Sequence, residues 1–278
     1  MPAHFIITAC FLLLFLPTPQ SRRLSYALLP FVLFAISYDW MRVCPNYMVN
    51  PIDVQPLYET EKAIFGIPSE AGTLTPNEYF LQHHWPLLDF MSGLFYLCWV
   101  PVPLAFCIGL FLVGKRRLSL RFSIAFLLAN WLGFAGYYIH PAAPPWYVMH
   151  HGFEPVLDTM GEVAGLGRFD DLVGVGIFHS IYCHSSNVFA ALPSLHSAYV
   201  PVAFLYALIG GCRRWVKWLL AIVSMGIWWS AVYTSHHYVI DVILGIFTAG
   251  LAVALLEKFL LRWSMTKKPL EHLLSLVE

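Results

Sequence analysis

Long apolar runs, each closed by a basic cluster or a turn-rich segment, constrain this chain more than any other feature. They occupy residues 5–17, 24–40, 90–113, 122–139, 192–210, 218–234 and 238–257. A helix needs about 20 apolar residues to cross the hydrocarbon core, and the last five runs reach or approach that length. The run 24–40 is slightly short. The run 5–17 is too short to span comfortably and reads as a shallow or re-entrant helix; a signal peptide is not expected, because residues 1–4 lack a basic n-region and no small-x-small cleavage site follows. Pro101 and Pro103 are expected to kink the run 90–113, with neighbouring helices repairing the freed backbone groups. The chain is 59% hydrophobic and 12% charged over 278 residues, too little charge for a soluble fold of that size. The expected class is all-α: a polytopic membrane helix bundle of about six core transmembrane helices plus a short N-terminal hydrophobic helix. One integral membrane domain is expected over residues 1–278, with no repeat and no separate soluble unit.

The basic residues orient the bundle. Arg22 and Arg23, Lys115 to Arg121, Arg213 to Lys217, and Lys258 to Lys268 all fall on one side of it, leaving only Arg42, Lys62 and Arg168 on the other. The positive-inside rule makes the basic side cytoplasmic. Residues 42–86, 140–191 and the tight turn 235–237 then face outward. The two long outer loops hold many acidic residues together with Pro, Gly, His and Tyr, and loops of this kind bind or catalyse more often than they merely connect. Formal net charge is zero, so nothing points to a nucleic-acid partner.

Chemistry concentrates at two places. In Ser235-His236-His237-Tyr238, at the start of the last run, Asp241 follows His237 by four residues, a spacing that puts both side chains on one helical face. A carboxylate so placed fixes the imidazole tautomer and raises its basicity. Taken alone, such a pair is more often a satisfied polar contact. Pro193-Ser194-Leu195-His196 opens the fifth run, where Ser194 or Ser197 serves equally well as a cap. The orientation argument uses only Lys and Arg, yet it brings His196 and His237 to the same depth on the same face. Two imidazoles and a carboxylate at one level form an acid–base and nucleophile set.

The pair Pro193-Ser194-Leu195-His196 and His237-x-x-x-Asp241 resembles the second and third signature motifs of the type 2 phosphatidic acid phosphatase superfamily. The stretch Pro141-Ala142-Ala143-Pro144-Pro145-Trp146-Tyr147 is similar to its inositol phosphorylceramide synthase branch. So are Gly165-Leu166-Gly167-Arg168-Phe169-Asp170, Trp228-Trp229-Ser230, Thr234 to Tyr238, and Pro45-Asn46-Tyr47. The likeness covers about residues 39–250. It implies His237 as the nucleophile that forms a phosphohistidine, Asp241 as its activator, and His196 as acid and then base. No cofactor and no metal enters that scheme. The adjacent pairs His83-His84 and His150-His151 read as interfacial or loop histidines.

Departures from the superfamily pattern narrow the substrate. Ser230 and Ala231 stand where a Ser-Arg pair is usual, and a first-motif lysine with Arg-Pro is missing. Loss of cations penalises a phosphomonoester dianion more than a singly charged phosphodiester. The resemblance therefore implies a lipid phosphotransferase moving phosphoinositol or a similar head group from a phospholipid donor to a ceramide-like acceptor. Hydrolysis by water, as in a lipid phosphatase or phospholipase C-like enzyme, is the alternative. Substrate contacts are expected from Arg168 (or else a salt bridge to Asp170 or Asp171), Arg42, Ser194, His236, Trp146 and Tyr147. Trp146 and Tyr147 serve equally as interfacial anchors, the role assigned to Trp40, Trp85, Tyr137, Tyr138 and Trp263. An oxidising compartment would permit a Cys44–Cys183 disulfide, with free thiols the equal alternative.

Overall fold

Hydrocarbon leaves a backbone no partner but itself, so apolar runs must close their hydrogen bonds within helices. The computed structural model describes residues 18–70, 72–157, 159–183 and 187–278; the run 5–17 lies outside the described residues. It is 71% helical, as the class expected from sequence requires.

In chain order, α1 (Pro19–Trp40) is followed by a long loop holding α2 (Gln55–Phe65), the ribbon β1 (Ile67–Ser69) with β2 (Gly72–Leu74), and α3 (Pro76–Gln82). Next come α4 (Pro86–Leu97), α5 (Pro101–Leu112) and α6 (Arg116–Ile139). A second long loop carries α7 (Pro145–His151), α8 (Gly167–Val173) and α9 (Ile177–Tyr182). The chain closes with α10 (His196–Ile209), α11 (Arg214–Tyr233), α12 (Val239–Ala254) and α13 (Ser264–Ser275).

Among the described residues, three helices are long and apolar enough to cross a membrane: α6, α11, and α12 with its continuation to Leu260. The pair α4–α5 adds one broken span, bent by 45°. The bend falls before Pro101, whose missing N–H is harmless at a helix start and whose ring forbids a straight continuation. These features make the chain an integral membrane protein.

The core lies where α10 packs against α6, α11 and α12, around Phe126, Tyr199, Ala203 and Tyr206. One buried polar contact ties it, Tyr199 Oη donating to Asn130 Oδ1 at 2.5 Å. Tyr137, expected as an interfacial anchor, is instead buried in this core, whereas Trp40, Trp85 and Trp263 are exposed at helix ends.

The fifth apolar run begins at residue 192, but α10 starts only at His196. The intervening residues are tied sideways: Ser194 N–H donates to Asp241 O at 2.9 Å, joining the two motif-bearing segments through the main chain. This approach depends on Gly245, where a Cβ would stand 2.1 Å from Ser194 O. At the same end of the bundle, the end formed by the long loops, Asp53, Ala142 and Ala190 form two parallel bridges. Asn46 Nδ2 reinforces them by donating to Tyr137 O at 2.9 Å and Phe189 O at 2.8 Å. Cys44 and Cys183 do not pair with each other; Cys183 Sγ donates to Ser180 O at 3.3 Å.

Gly245→Ala should push α12 off the Ser194 segment at a cost of about 1–3 kcal/mol. We expect a lower melting temperature in detergent and a loss of activity larger than the loss of folded protein. Unchanged melting and activity would show that the close approach is not needed.

Candidate active site

His196 and His237 stand at neighbouring helix starts because α10 and α12 both begin at the loop end of the bundle. His196 Nδ1 lies 3.1 Å from His237 Nε2, and His237 Nδ1 lies 3.4 Å from Asp241 Oδ2. The expected His237–Asp241 pair thus meets, although α12 starts only at Val239. The spacing works because Asp241 sits in the first helical turn, where its Oδ2 also accepts from Tyr238 N–H at 2.9 Å. Contacts of this kind tighten when substrate brings charge to the ring. With Nδ1–H facing the carboxylate, the lone pair of His237 is on Nε2, and His196 Nδ1–H is the donor between the rings.

The turn before α12 is buried, and most of its backbone groups are hydrogen-bonded. Ser235 has φ 61°, in the left-handed region that costs a side chain about 1–2 kcal/mol. Main-chain bonds offset that cost. Both His236 N–H and His237 N–H donate to Ala231 O at 3.0 Å, Trp146 N–H donates to Ser235 O at 3.0 Å, and Gly165 N–H to Thr234 O at 3.0 Å.

A cavity of about 190 Å³ opens on this set. His196, His236 and His237 line it on one side, and its walls are largely aromatic. The His196 ring packs against Tyr96 at 5.0 Å and edge-on to Trp99 at 4.8 Å. Phe34 and Tyr38 of α1 extend the lining away from the histidines, and Trp146 and Glu162 bring in the second loop. His236 sits edge-on to Tyr182 at 4.5 Å. Its Nδ1 donates to Thr234 O at 3.1 Å, which leaves Nε2 as a buried ring nitrogen without a hydrogen-bond partner. Burial pushes the His236 imidazole down to about 3, so it stays neutral and Nε2 is an acceptor.

The other expected contacts divide. Ser194 is buried and its Oγ accepts from Ser197 Oγ at 3.0 Å; it supports the α10 start and does not line the cavity. Tyr147 is buried, its Oη donating to Glu154 O at 2.8 Å and accepting from Val156 N–H at 2.7 Å, which pins the loop. Arg168 pairs with Asp89, not with Asp170 or Asp171: Nε to Oδ1 is 2.6 Å. Asp89 Oδ1 also accepts from Tyr233 Oη at 2.9 Å, and Arg168 lies over the Tyr233 ring at 5.2 Å. The guanidinium braces the end of α11 and is not among the cavity-lining residues. Asp170 instead accepts from Phe178 N–H at 3.1 Å and His179 N–H at 2.9 Å. Arg42 pairs with Asp39 at 3.7 Å, also off the cavity. Of the paired loop histidines, His84 meets Asp89 at 3.1 Å and His150 meets Glu162 at 2.8 Å. Sequence reasoning missed Tyr96 and Trp99, since aromatic residues in an apolar run carry no mark of which face lines a cavity.

Residues 70–255 match the family model of the PAP2 superfamily. The chain belongs to the PAP2 superfamily. It is 54% identical over 259 residues to the phosphoinositol dihydroceramide synthase of Bacteroides thetaiotaomicron, covering 93% of this chain and 85% of that one. It is 30% identical over 252 residues to the inositol phosphorylceramide synthase of Candida albicans, and 28% identical over 242 residues to the inositol phosphorylceramide synthase catalytic subunit of Saccharomyces cerevisiae. These matches cover 88% and 86% of this chain but only 50% and 58% of the fungal ones. No solved structure matches. The superfamily motif arginine is replaced by Ala231, which is fully buried and offers only its carbonyl to the two following histidine amides.

Asp241→Asn should leave the bundle folded and lower lipid phosphoryl transfer on the order of 10²- to 10⁴-fold, as loss of an orienting carboxylate does elsewhere. Turnover of the purified variant in detergent checks it. Near-normal rates would remove Asp241 from the chemistry.

Proposed function

We propose that this chain is a membrane phosphotransferase that moves phosphoinositol from a glycerophospholipid to the primary hydroxyl of ceramide or dihydroceramide. The observation that carries this reading is the 3.1 Å contact between His196 Nδ1 and His237 Nε2, backed by Asp241. His237 Nε2 attacks phosphorus, and the bond from phosphorus to the diacylglycerol oxygen breaks. His196, protonated on both ring nitrogens at this point, gives its Nδ1 proton to the departing oxygen and becomes neutral, leaving phosphoinositol on His237. The acceptor hydroxyl then returns a proton to His196 as its oxygen takes the phosphoryl group, and His237 is regenerated. One phosphodiester replaces another, so no nucleotide is required.

Three features support the substrate class. Among the described residues no Arg or Lys lines the cavity, and a site so poor in cations suits a singly charged phosphodiester better than a dianion. His236 Nε2 supplies an acceptor for a substrate hydroxyl. The relatives' names point the same way. The site is assigned to the non-cytoplasmic leaflet, because Lys115, Arg116, Arg213 and Arg214 flank the opposite ends of α6, α10 and α11.

Hydrolysis uses the same histidines, and the lining argues against it. Tyr96 and Trp99 pack on the His196 ring and Phe34 and Tyr199 continue the apolar lining, which suits an acyl chain and disfavours the water that hydrolysis needs.

Purified protein given phosphatidylinositol labelled in the head group separates the two reactions. Labelled inositol phosphorylceramide forming only when ceramide is present is the expected result. Free inositol phosphate released at the same rate without ceramide would overturn transfer in favour of hydrolysis.

A further inference from the structure

The turn that carries His237 is gripped from the first loop by two side chains that play no part in the scheme above. Glu61, on α2, is a carboxylate with no exposed surface. Its partners are two amides, not a cation: Oε1 accepts from Val239 N–H at 2.9 Å and Oε2 from Ile240 N–H at 3.2 Å. These are the first two amides of α12, left without intrahelical partners at a helix start, and the helix dipole favours an anion there. Asn77, on α3, is also fully buried. Its Nδ2 donates to Val232 O and to the carbonyl of His237 itself, both at 2.9 Å. One loop therefore holds the main chain on both sides of the catalytic imidazole.

Resting on the transfer reading, we propose that Glu61 and Asn77 are positioning residues that fix the His237 backbone, so that Nε2 stays aimed at phosphorus, and that Glu61 does so as a carboxylate. A carboxylate accepts from both amides at once. A protonated acid keeps one acceptor oxygen and turns its O–H against the other N–H, so one amide is released. Burial, with the charge of Asp241 adding to it, pushes Glu61 up to about 7 against opposing bonds from Val239 and Ile240. Asp241 in the first turn of α12 and Tyr238 just before it are the titratable groups coupled to this acid, while Tyr58 and Lys62 of its own helix and Glu78 of α3 are coupled to one another.

The sign follows from linkage. A carboxyl whose folded pKa is raised contributes most to stability when protonated, and that contribution is lost as pH rises through about 7. The form that grips α12 is thus the form that stability disfavours, a pattern expected of a group kept for function. Activity should rise with pH through the same range.

The test compares wild type with Glu61→Gln and Asn77→Ala in detergent, by transfer kinetics, melting temperature and amide hydrogen exchange. For Glu61→Gln at pH 8 we expect kcat at least tenfold lower and KM for phosphatidylinositol within about threefold. Its melting temperature should be no lower, and its acid limb between pH 6 and 8 flatter. Asn77→Ala should lower kcat while keeping that acid limb, because Glu61 is intact. Exchange at the peptide holding Val239 and Ile240 should accelerate in Glu61→Gln without a global change, a readout that needs no activity. Wild-type kcat and acid limb in Glu61→Gln would overturn the proposal, as would a fall in kcat that only tracks a fall in melting temperature, or unchanged exchange at α12. If wild type itself transfers nothing while the exchange result holds, the transfer reading fails and the clamp stands.

Discussion

Everything at the active end of this protein depends on satisfying the backbone of one buried turn, residues 231–239. Residues 233–238 are buried, so water does not serve the amides and carbonyls there, and each unpaired group would cost about 1–3 kcal/mol. The protein meets this demand from outside the turn. Asn77 and Glu61 come from the first loop, and the amides of Trp146 and Gly165 from the second. The long loops are therefore the scaffold of the site, and the rigid geometry of His237 follows from their hydrogen bonds rather than from α12 alone.

That arrangement also explains the chemistry the site suits. With main-chain needs met by the loops, the imidazoles of His196, His236 and His237 are left to face the cavity. The cations are engaged elsewhere: Arg168 is spent on Asp89 and Tyr233. Aromatic walls lower the polarity around the histidines, which strengthens each polar contact made there. An aromatic pocket poor in cations matches a phosphodiester passed between two lipid alcohols.

The bundle was legible in the sequence because hydrocarbon enforces a simple rule, and the run lengths and basic clusters reported it directly. The bend at Pro101 was legible for the same reason. His196, His237 and Asp241 are singled out by combining charge-derived orientation with motif spacing, and the structure puts His237 3.1 Å from His196 and 3.4 Å from Asp241. Arg168 was read as an oxygen clamp or as a partner of Asp170 or Asp171. Its partner Asp89 lies 79 positions away, a distance that local charge patterns do not encode. Glu61 was counted only as one of many acidic loop residues. A signal existed: Glu61 follows Leu57 by four residues and both are buried on one face of α2. A carboxylate in register with an apolar stripe marks a buried partner, but not which one. Asn77 and the bridges through Ala142 had no such mark, because their partners are main-chain atoms.

The most direct measurement is to trap the covalent species. Purified protein is mixed with phosphatidylinositol labelled in its phosphate, quenched under alkaline conditions that spare phosphohistidine, digested and sequenced by mass spectrometry. The account predicts an acid-labile phosphoinositol adduct on His237, formed without acceptor and discharged within one turnover when ceramide is added. Product formation with the adduct on another residue, or with single-turnover sampling that finds no adduct, would contradict it.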